Sequence, residues 1–333
     1  MDRMSSMING SNEGIPMSHR TDPVRTDTPV VVARGLWKAY GETQAVRNLS
    51  FEAHAGEVMG LLGPNGAGKT TAIRMLTTLL PLDSGSATVA GFDVATQADA
   101  VRQVIGLAGQ SAAVDEMLTA RENLELFGRL YKIPRKERAA RIGHLIDRFE
   151  LGEFADRPAT TYSGGQRRRL DVVASLIASP PALFLDEPTT GLDPRSRVEL
   201  WEEIRDLADG GAAVVLTTQY LEEADRLSDR IVIIDEGVVA ATGTSGELKD
   251  DLERDVLEVH LQASADLEAA VATLEGLAVD VATDPEQSEL QIPLADGAGQ
   301  SLDILRRLDT AGIEIADFQL RKPTLDDVFL TLT

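Results

Sequence analysis

The chain has 333 residues, 43% of them hydrophobic, enough for about two domains of ~150 residues each with sizeable cores. Its net charge is −22, and residues 249–333 alone hold 19 acids against 6 bases, a surface that repels phosphate backbones and argues against a nucleic-acid partner. No apolar run approaches the ~20 residues that span a bilayer, so a membrane role calls for a separate membrane partner. There is no cysteine, which excludes disulfides and thiolate metal sites and fits a cytoplasmic setting, and the four histidines (His19, His54, His144, His260) lack metal-ligand spacing.

Residues 1–28 are polar and rich in Gly, Ser, Pro and Thr without an apolar core, so they read as a disordered tail rather than a secretory signal. Strands are expected at 30–36 (VVVARGL) and 57–63 (EVMGLLG). A helix is expected over 69–80, with Ile73, Leu76, Leu79 and Leu80 at helical spacing. Another strand is expected at 104–109 (VIGLAG). Between 120 and 160 the pattern becomes two amphipathic helices broken near Pro134, part of a helical subdomain over about 111–180. Strands return at 182–186 (ALFLD), 212–218 (AAVVLTT) and 230–235 (RIVIID), with helices at 194–208 and 220–227. This is an α/β sheet with a helical insertion, placed over 29–252. From 253 to 333 a smaller unit is expected: strand 256–262, helix 265–276, strands 277–283 and 289–295, helix 301–312, strand 313–321. That β-α-β-β-α-β order is the ferredoxin-like α+β arrangement, followed by a last helix over 324–332 that Thr324 can cap.

The stretch GPNGAGKTT (63–71) lies between a predicted strand and a predicted helix, the context that makes a phosphate loop credible. Phosphates need several N–H donors converging on a small volume. Gly63, Gly66 and Gly68 let the backbone of this loop, with Pro64, Asn65 and Ala67, wrap closely, and the helix beginning at Lys69 adds the positive end of its dipole. Lys69 offers a point charge for the β- and γ-phosphates, and Thr70, followed by Thr71, a hydroxyl for Mg2+. The competing reading is an inert glycine-rich turn. In LDEP (185–188) a buried strand ends in adjacent acids. Strand alternation aims Asp186 and Glu187 to opposite sides, so Asp186 suits Mg2+ and Glu187 suits orienting or deprotonating a water at the γ-phosphate. Read in isolation, the pair is also compatible with a polar strand end holding a salt bridge. In YSGGQ (162–166), Ser163 caps a helix whose first residues, Gly164 and Gly165, leave N–H groups uncovered. A second anion site in a chain that needs one nucleotide is accounted for economically if it completes the pocket of another subunit.

At this stretch the chain resembles the ABC ATPase family, whose signature is LSGGQ, with Tyr162 here in place of leucine. The resemblance spans about 30–250 and implies a P-loop NTPase fold that binds ATP and Mg2+. It implies that Tyr40 stacks on adenine, where an ordinary core tyrosine is the alternative. It further implies that Gln110 touches Mg2+ or the attacking water and senses the membrane partner, that Gln166 belongs to the nucleotide site, and that Asp193 contacts the facing subunit. Where the family usually carries a histidine facing the γ-phosphate, this chain has Gln219, which can donate a hydrogen bond but cannot become cationic. TTQYLEEAD (217–225) and PTLDDVFLTLT (323–333) resemble the daunorubicin/doxorubicin-resistance ATP-binding subunits. That resemblance implies an ATP-driven homodimer at the cytoplasmic face of the membrane, powering export of a drug or other lipophilic cargo through a separate permease. The basic segment 129–141 is then either a solvated helix face or a contact with the permease or anionic lipid. A soluble ABC ATPase acting on nucleic acid or ribosomes is the competing class. It is disfavoured by the acidic last unit and by the absence of coiled-coil insertions, zinc motifs or a second cassette.

Overall fold

The computed structural model describes residues 28–110, 113–252, 255–263, 266–274, 281–294 and 297–332. The expected disordered tail, but for Thr28, and the first four residues of the strand expected at 277–283 lie outside them. In chain order, β1 (Val31–Tyr40) and β2 (Thr43–Ala53) form a hairpin, and β3 (Val58–Leu62) leads into α1 (Lys69–Leu76). Next come β4 (Ser84–Val89), β5 (Phe92–Asp93), α2 (Ala98–Val104) and β6 (Ile105–Ala108). The insertion holds α3 (Ala120–Leu130), α4 (Arg135–Arg148) and α5 (Gly164–Ser175). The chain returns through β7 (Ala182–Asp186), α6 (Pro194–Asp209), β8 (Ala213–Thr218), α7 (Leu221–Leu227), β9 (Arg230–Asp235), β10 (Val238–Gly243) and α8 (Ser245–Asp250). The last unit runs β11 (Asp255–Leu261), α9 (Leu267–Leu274), β12 (Ala282–Asp284), β13 (Glu289–Leu294), α10 (Gly297–Thr310), β14 (Ile315–Arg321) and α11 (Leu325–Leu332).

The central sheet has the order β10-β9-β3-β8-β7-β6 and is parallel except at β10. Its inner strands β3, β7 and β8 are buried along their whole length and mostly apolar, because both faces are covered. Alternate side chains part between two cores. Leu183, Leu185, Val214 and Leu216 join α5, α6 and the insertion. Phe184, Val215, Val232 and Ile234 join α1 and the antiparallel sheet β2-β1-β4-β5. The carboxyl ends of β3, β7 and β8 therefore meet at one edge, where ligands bind in open α/β sheets. The predicted helix over 69–80 is shorter. It ends at Leu76, Thr78 turns left-handed at φ 63°, and Leu79 is 63% exposed, so Leu79 is not the core residue its spacing suggests.

The last unit has the antiparallel order β12-β13-β11-β14, with α9 and α10 packed on Leu257, Val259, Leu290 and Ile292. This is the expected ferredoxin-like topology. The final helix takes a different place. Leu325 and Val328 of α11 are buried with Leu62, Ala224, Ile231, Ile233 and Leu248, beneath the strand that feeds the phosphate loop. Thr324 caps α11 as expected: its Oγ1 accepts from the Asp327 amide at 3.3 Å. Arg321, at the end of β14, pairs with Glu258 of β11 and with Asp327 of α11, so one guanidinium ties the small sheet to the helix that plugs the core. No helix among the described residues is long and apolar enough to cross a membrane.

Candidate active site

The phosphate loop follows β3 without a break, and its glycines are required by geometry. Gly66 and Gly68 have φ of 89° and 103°, which favour glycine. A Cβ on Gly68 would lie 2.2 Å from the Ala45 carbonyl oxygen, and one on Gly63 equally close to that of Ile234. Around Gly66 the space is open, as a loop that wraps a ligand needs. Pro64 and Asn65 are exposed, Ala67 is buried and Thr71 is half-buried on the first turn of α1. The Lys69 ammonium is 4% exposed, donates to the carbonyls of Gly63 at 2.7 Å and Pro64 at 2.9 Å, and lies 3.8 Å from Glu187. Burial pulls its pKa down, and the Glu187 and Asp186 carboxylates oppose that pull.

Four more side chains converge here. Thr70 Oγ1 donates to Asp186 Oδ1 at 3.0 Å, and Gln110 Nε2 donates to Thr70 Oγ1 at 3.1 Å. Thr217 Oγ1, at the tip of β8, donates to the same Asp186 oxygen at 2.6 Å and accepts from the Glu187 amide at 3.0 Å. Strand alternation does not reach Glu187. The strand ends at Asp186, and Glu187 turns left-handed at φ 50°, a conformation that costs a non-glycine residue about 1–2 kcal/mol. The two carboxylates therefore join one cluster instead of facing opposite ways. Gln219 stands half-buried just past β8. Tyr40 is 48% exposed at the end of the β1–β2 hairpin whose Ala45 abuts the phosphate loop, so it is not a core tyrosine.

The second cluster lies at the start of α5. Ser163 Oγ accepts from the Gln166 amide at 3.2 Å, and Gln166 Oε1 accepts from the Ser163 amide at 3.1 Å, a closed capping box. Gln166 is thus engaged within its own helix. Gly164 is exposed, and a Cβ placed on it would meet nothing within 4 Å, whereas Gly165 faces Ser196 and Leu192. Asp193 caps α6, accepting from the amides of Arg195 at 3.1 Å and Ser196 at 3.0 Å. The structure thus brings Lys69, Thr70, Gln110, Asp186 and Glu187 together and sets Ser163, Gly164, Gly165, Gln166 and Asp193 apart from them. Tyr162 does more than replace a leucine. Its hydroxyl donates to Phe154 O at 2.7 Å and accepts from the Ala120 amide at 3.2 Å, tying the signature to the first turn of α3.

Sequence reasoning overlooked Thr217, Arg168 and Glu223. Thr217 was legible as a polar residue ending a buried strand at the ligand edge. Glu223 is fully buried and accepts from Trp201 Nε1 at 2.8 Å, and burial pushes its pKa up. Its place in a run of acids concealed it. Half of the six basic side chains of the segment 129–141 are paired internally: Arg129 and Arg138 with Glu125, and Arg141 with Glu137.

A parallel sheet delivering a phosphate loop, an Asp-Glu strand end and a separate glycine-opened helix defines a nucleotide-binding ATPase of the ABC class. The comparisons agree. The family model "ABC transporter" matches residues 46–190, and the model "ATP-binding protein DrrA1-3-like, C-terminal domain" matches 243–333. The daunorubicin resistance ATP-binding protein DrrA3 of Streptomyces coeruleorubidus is 50% identical over 92% of this chain and 96% of its own. The doxorubicin resistance ATP-binding protein DrrA of Mycobacterium tuberculosis is 44% identical over 93% and 95%. A solved ATP-binding subunit of an ABC transporter superposes with a TM-score of 0.62 at 27% identity, covering 67% of this chain and 93% of that one. The chain belongs to the daunorubicin/doxorubicin-resistance family of ABC transporter ATP-binding proteins, and it is an ATP-hydrolysing subunit.

Proposed function

We propose that this protein works as a homodimer on the cytoplasmic face of a membrane, driving efflux of a lipophilic compound through a separate permease. Residues 29–252 supply the nucleotide unit and 253–333 the accessory unit. The drug-resistance names of the two relatives support the cargo class. The observation that carries the reading is the division of anion-binding elements in one chain: the loop around Lys69, and the helix start whose Ser163 and Gly164 are exposed. Two copies related by a two-fold axis bring each loop against the other's helix start, so ATP is gripped by both.

Lys69 leaves the carbonyls of Gly63 and Pro64 to meet the β- and γ-phosphates, and Tyr40 stacks on adenine. Ser163, Gly164 and Gly165 approach the γ-phosphate from the facing copy, held by the Ser163–Gln166 capping box, and Asp193 contacts the facing copy. Glu187 orients a water and takes its proton as the water oxygen bonds to the γ-phosphorus and the bond to the bridging oxygen breaks, leaving ADP and phosphate. Gln219 donates to the γ-phosphate without carrying charge. Thr70, Asp186 and Gln110 are the donors suited to Mg2+, whose ligands are oxygens. Their mutual hydrogen bonds place them in one spot. Among the described residues no cluster of three acids or histidines could hold a metal unaided, which fits an ion shared with substrate phosphates. When bound, the ion neutralises charge building on the phosphates.

The test is Glu187→Gln, which keeps every binding group and removes the proton acceptor. It should bind ATP, hydrolyse it at a small fraction of the normal rate and accumulate as an ATP-dependent dimer. The chain has no cysteine, so Ser163→Cys and Asn65→Cys form a unique pair. In that background the pair should crosslink between copies only with ATP. Normal turnover, or no crosslink in the assembled transporter, would defeat the reading.

A further inference from the structure

Arg168 is 8% exposed, lies one turn into α5, and spends its guanidinium on three backbone carbonyls. Its Nε donates to Pro188 O at 2.9 Å, one Nη to Asp186 O at 2.9 Å, and the other Nη to Gly109 O. Each acceptor adjoins a residue of the site. Asp186 and Pro188 bracket Glu187, and Gly109 precedes Gln110. One turn on, Asp171 lies 3.4 Å from the same guanidinium and accepts from the Ala113 amide at 2.7 Å, so the Arg168–Asp171 pair bonds to Gly109, next to Gln110, and to Ala113.

We propose that Arg168 is the positioning residue for hydrolysis: a clamp on the signature helix that holds Glu187 in its left-handed conformation and anchors Gln110 through the carbonyl of Gly109. This rests on the reading of Glu187 as the group that activates water. The physical case is one of over-determination. A strained non-glycine backbone persists only when its surroundings fix it from several sides. Glu187 is held at its amide by Thr217 and at the flanking carbonyls by Arg168. The task suits arginine, whose planar fork reaches three acceptors at once, and not lysine, whose donors radiate from one point. The clamp belongs to the helix whose first turn meets the facing copy's nucleotide, so closure of the dimer and placement of the water-activating carboxylate are one mechanical event.

Arg168→Lys in the full chain, assayed for ATPase and for trapped dimer in the Glu187→Gln background, separates the possibilities. The clamp predicts kcat down roughly 10- to 100-fold, the scale of an ångström's misplacement. It also predicts a KM within about twofold and undiminished ATP-trapped dimer, because binding groups are untouched. Should Arg168→Lys be too unstable to assay, Arg168→Gln is read in the same way. Unchanged kcat overturns the clamp, as does a loss of activity matched by loss of trapped dimer or by an equal rise in KM, which would mark a merely structural arginine. Normal hydrolysis by Glu187→Gln alone would instead remove the reading beneath it, and the clamp with it.

Discussion

Glu203 on α6 offers a sharp test of the electrostatics behind the signature helix. Its carboxylate is 18% exposed and lies 3.4 Å from Arg169, which makes the shorter contact, 2.6 Å, with Glu199. Its Oε2 is buried and accepts no hydrogen bond among the described residues. Burial pushes its pKa from 4.5 up to about 7; Arg169 and Arg148 oppose the rise, and Glu199 and Glu150 add to it. The folded protein thus holds this proton more tightly than the unfolded chain. The stability involved is fully present below pH 4.5 and is lost as the pH rises through about 7. At about 1.4 kcal/mol per unit the whole loss is about 3 kcal/mol, of which about 2 kcal/mol falls between pH 5.5 and 8.5. Glu203→Gln removes the titration while keeping size and polarity. Urea unfolding of both proteins at those two pH values, followed by the fluorescence of buried Trp201, cancels every other group in the difference. The variant should gain about 2 kcal/mol relative to the parent on going from pH 5.5 to 8.5. A difference that stays flat with pH would refute the argument.

Tyr162→Phe keeps the edge-on contact with Phe154, at 4.8 Å between ring centres, but leaves the buried Ala120 amide without the phenol. A loss of about 1–3 kcal/mol in unfolding free energy is expected, against almost none if the hydroxyl is idle. Leu325→Ala, in the cluster under the phosphate loop, should cost about 2–5 kcal/mol and raise protease sensitivity after Pro323; an unaltered protein would show that α11 does not plug the core. Gln219→His tests the neutral γ-phosphate contact. Ionised partners contribute about 1.5–3 kcal/mol per bond, and restoring a cationic donor should recover about 1 kcal/mol, about fivefold in rate, most strongly at low pH. Identical pH–rate profiles would remove the role.

The strands that emerged at their expected limits, β7 and β9, are short apolar runs bounded by polar turns, buried on nearly their whole length. Such a run encodes its own conformation. β2, β4 and β10 went unread for the converse reason. Their residues are largely polar or small, and their partners supply the pairing. β1 meets both β2 and β4 through irregular registers, and β10 is an edge. The phosphate loop and the signature were legible because each concentrates its chemistry within a few consecutive residues. Thr217 could be read as a polar strand end, but the task of its hydroxyl, joining Asp186 to the Glu187 amide, could not, because that task exists only between strands that meet in space.

What the sequence determined unaided was an α/β sheet with a helical insertion, a βαββαβ unit behind it, and the chemical class of the site. Period-2 and period-3.6 patterns and contiguous glycine motifs are local properties of the chain. Tertiary structure decided what depends on distant segments meeting. It turned Glu187 left-handed, so that two adjacent carboxylates share one cluster, and it set α11 against Leu62. It also drew Arg168 onto carbonyls near residues 110 and 187. The reason is that a backbone carbonyl carries no sequence identity, so a side chain whose partners are carbonyls leaves no pattern to read until the chain has folded around it.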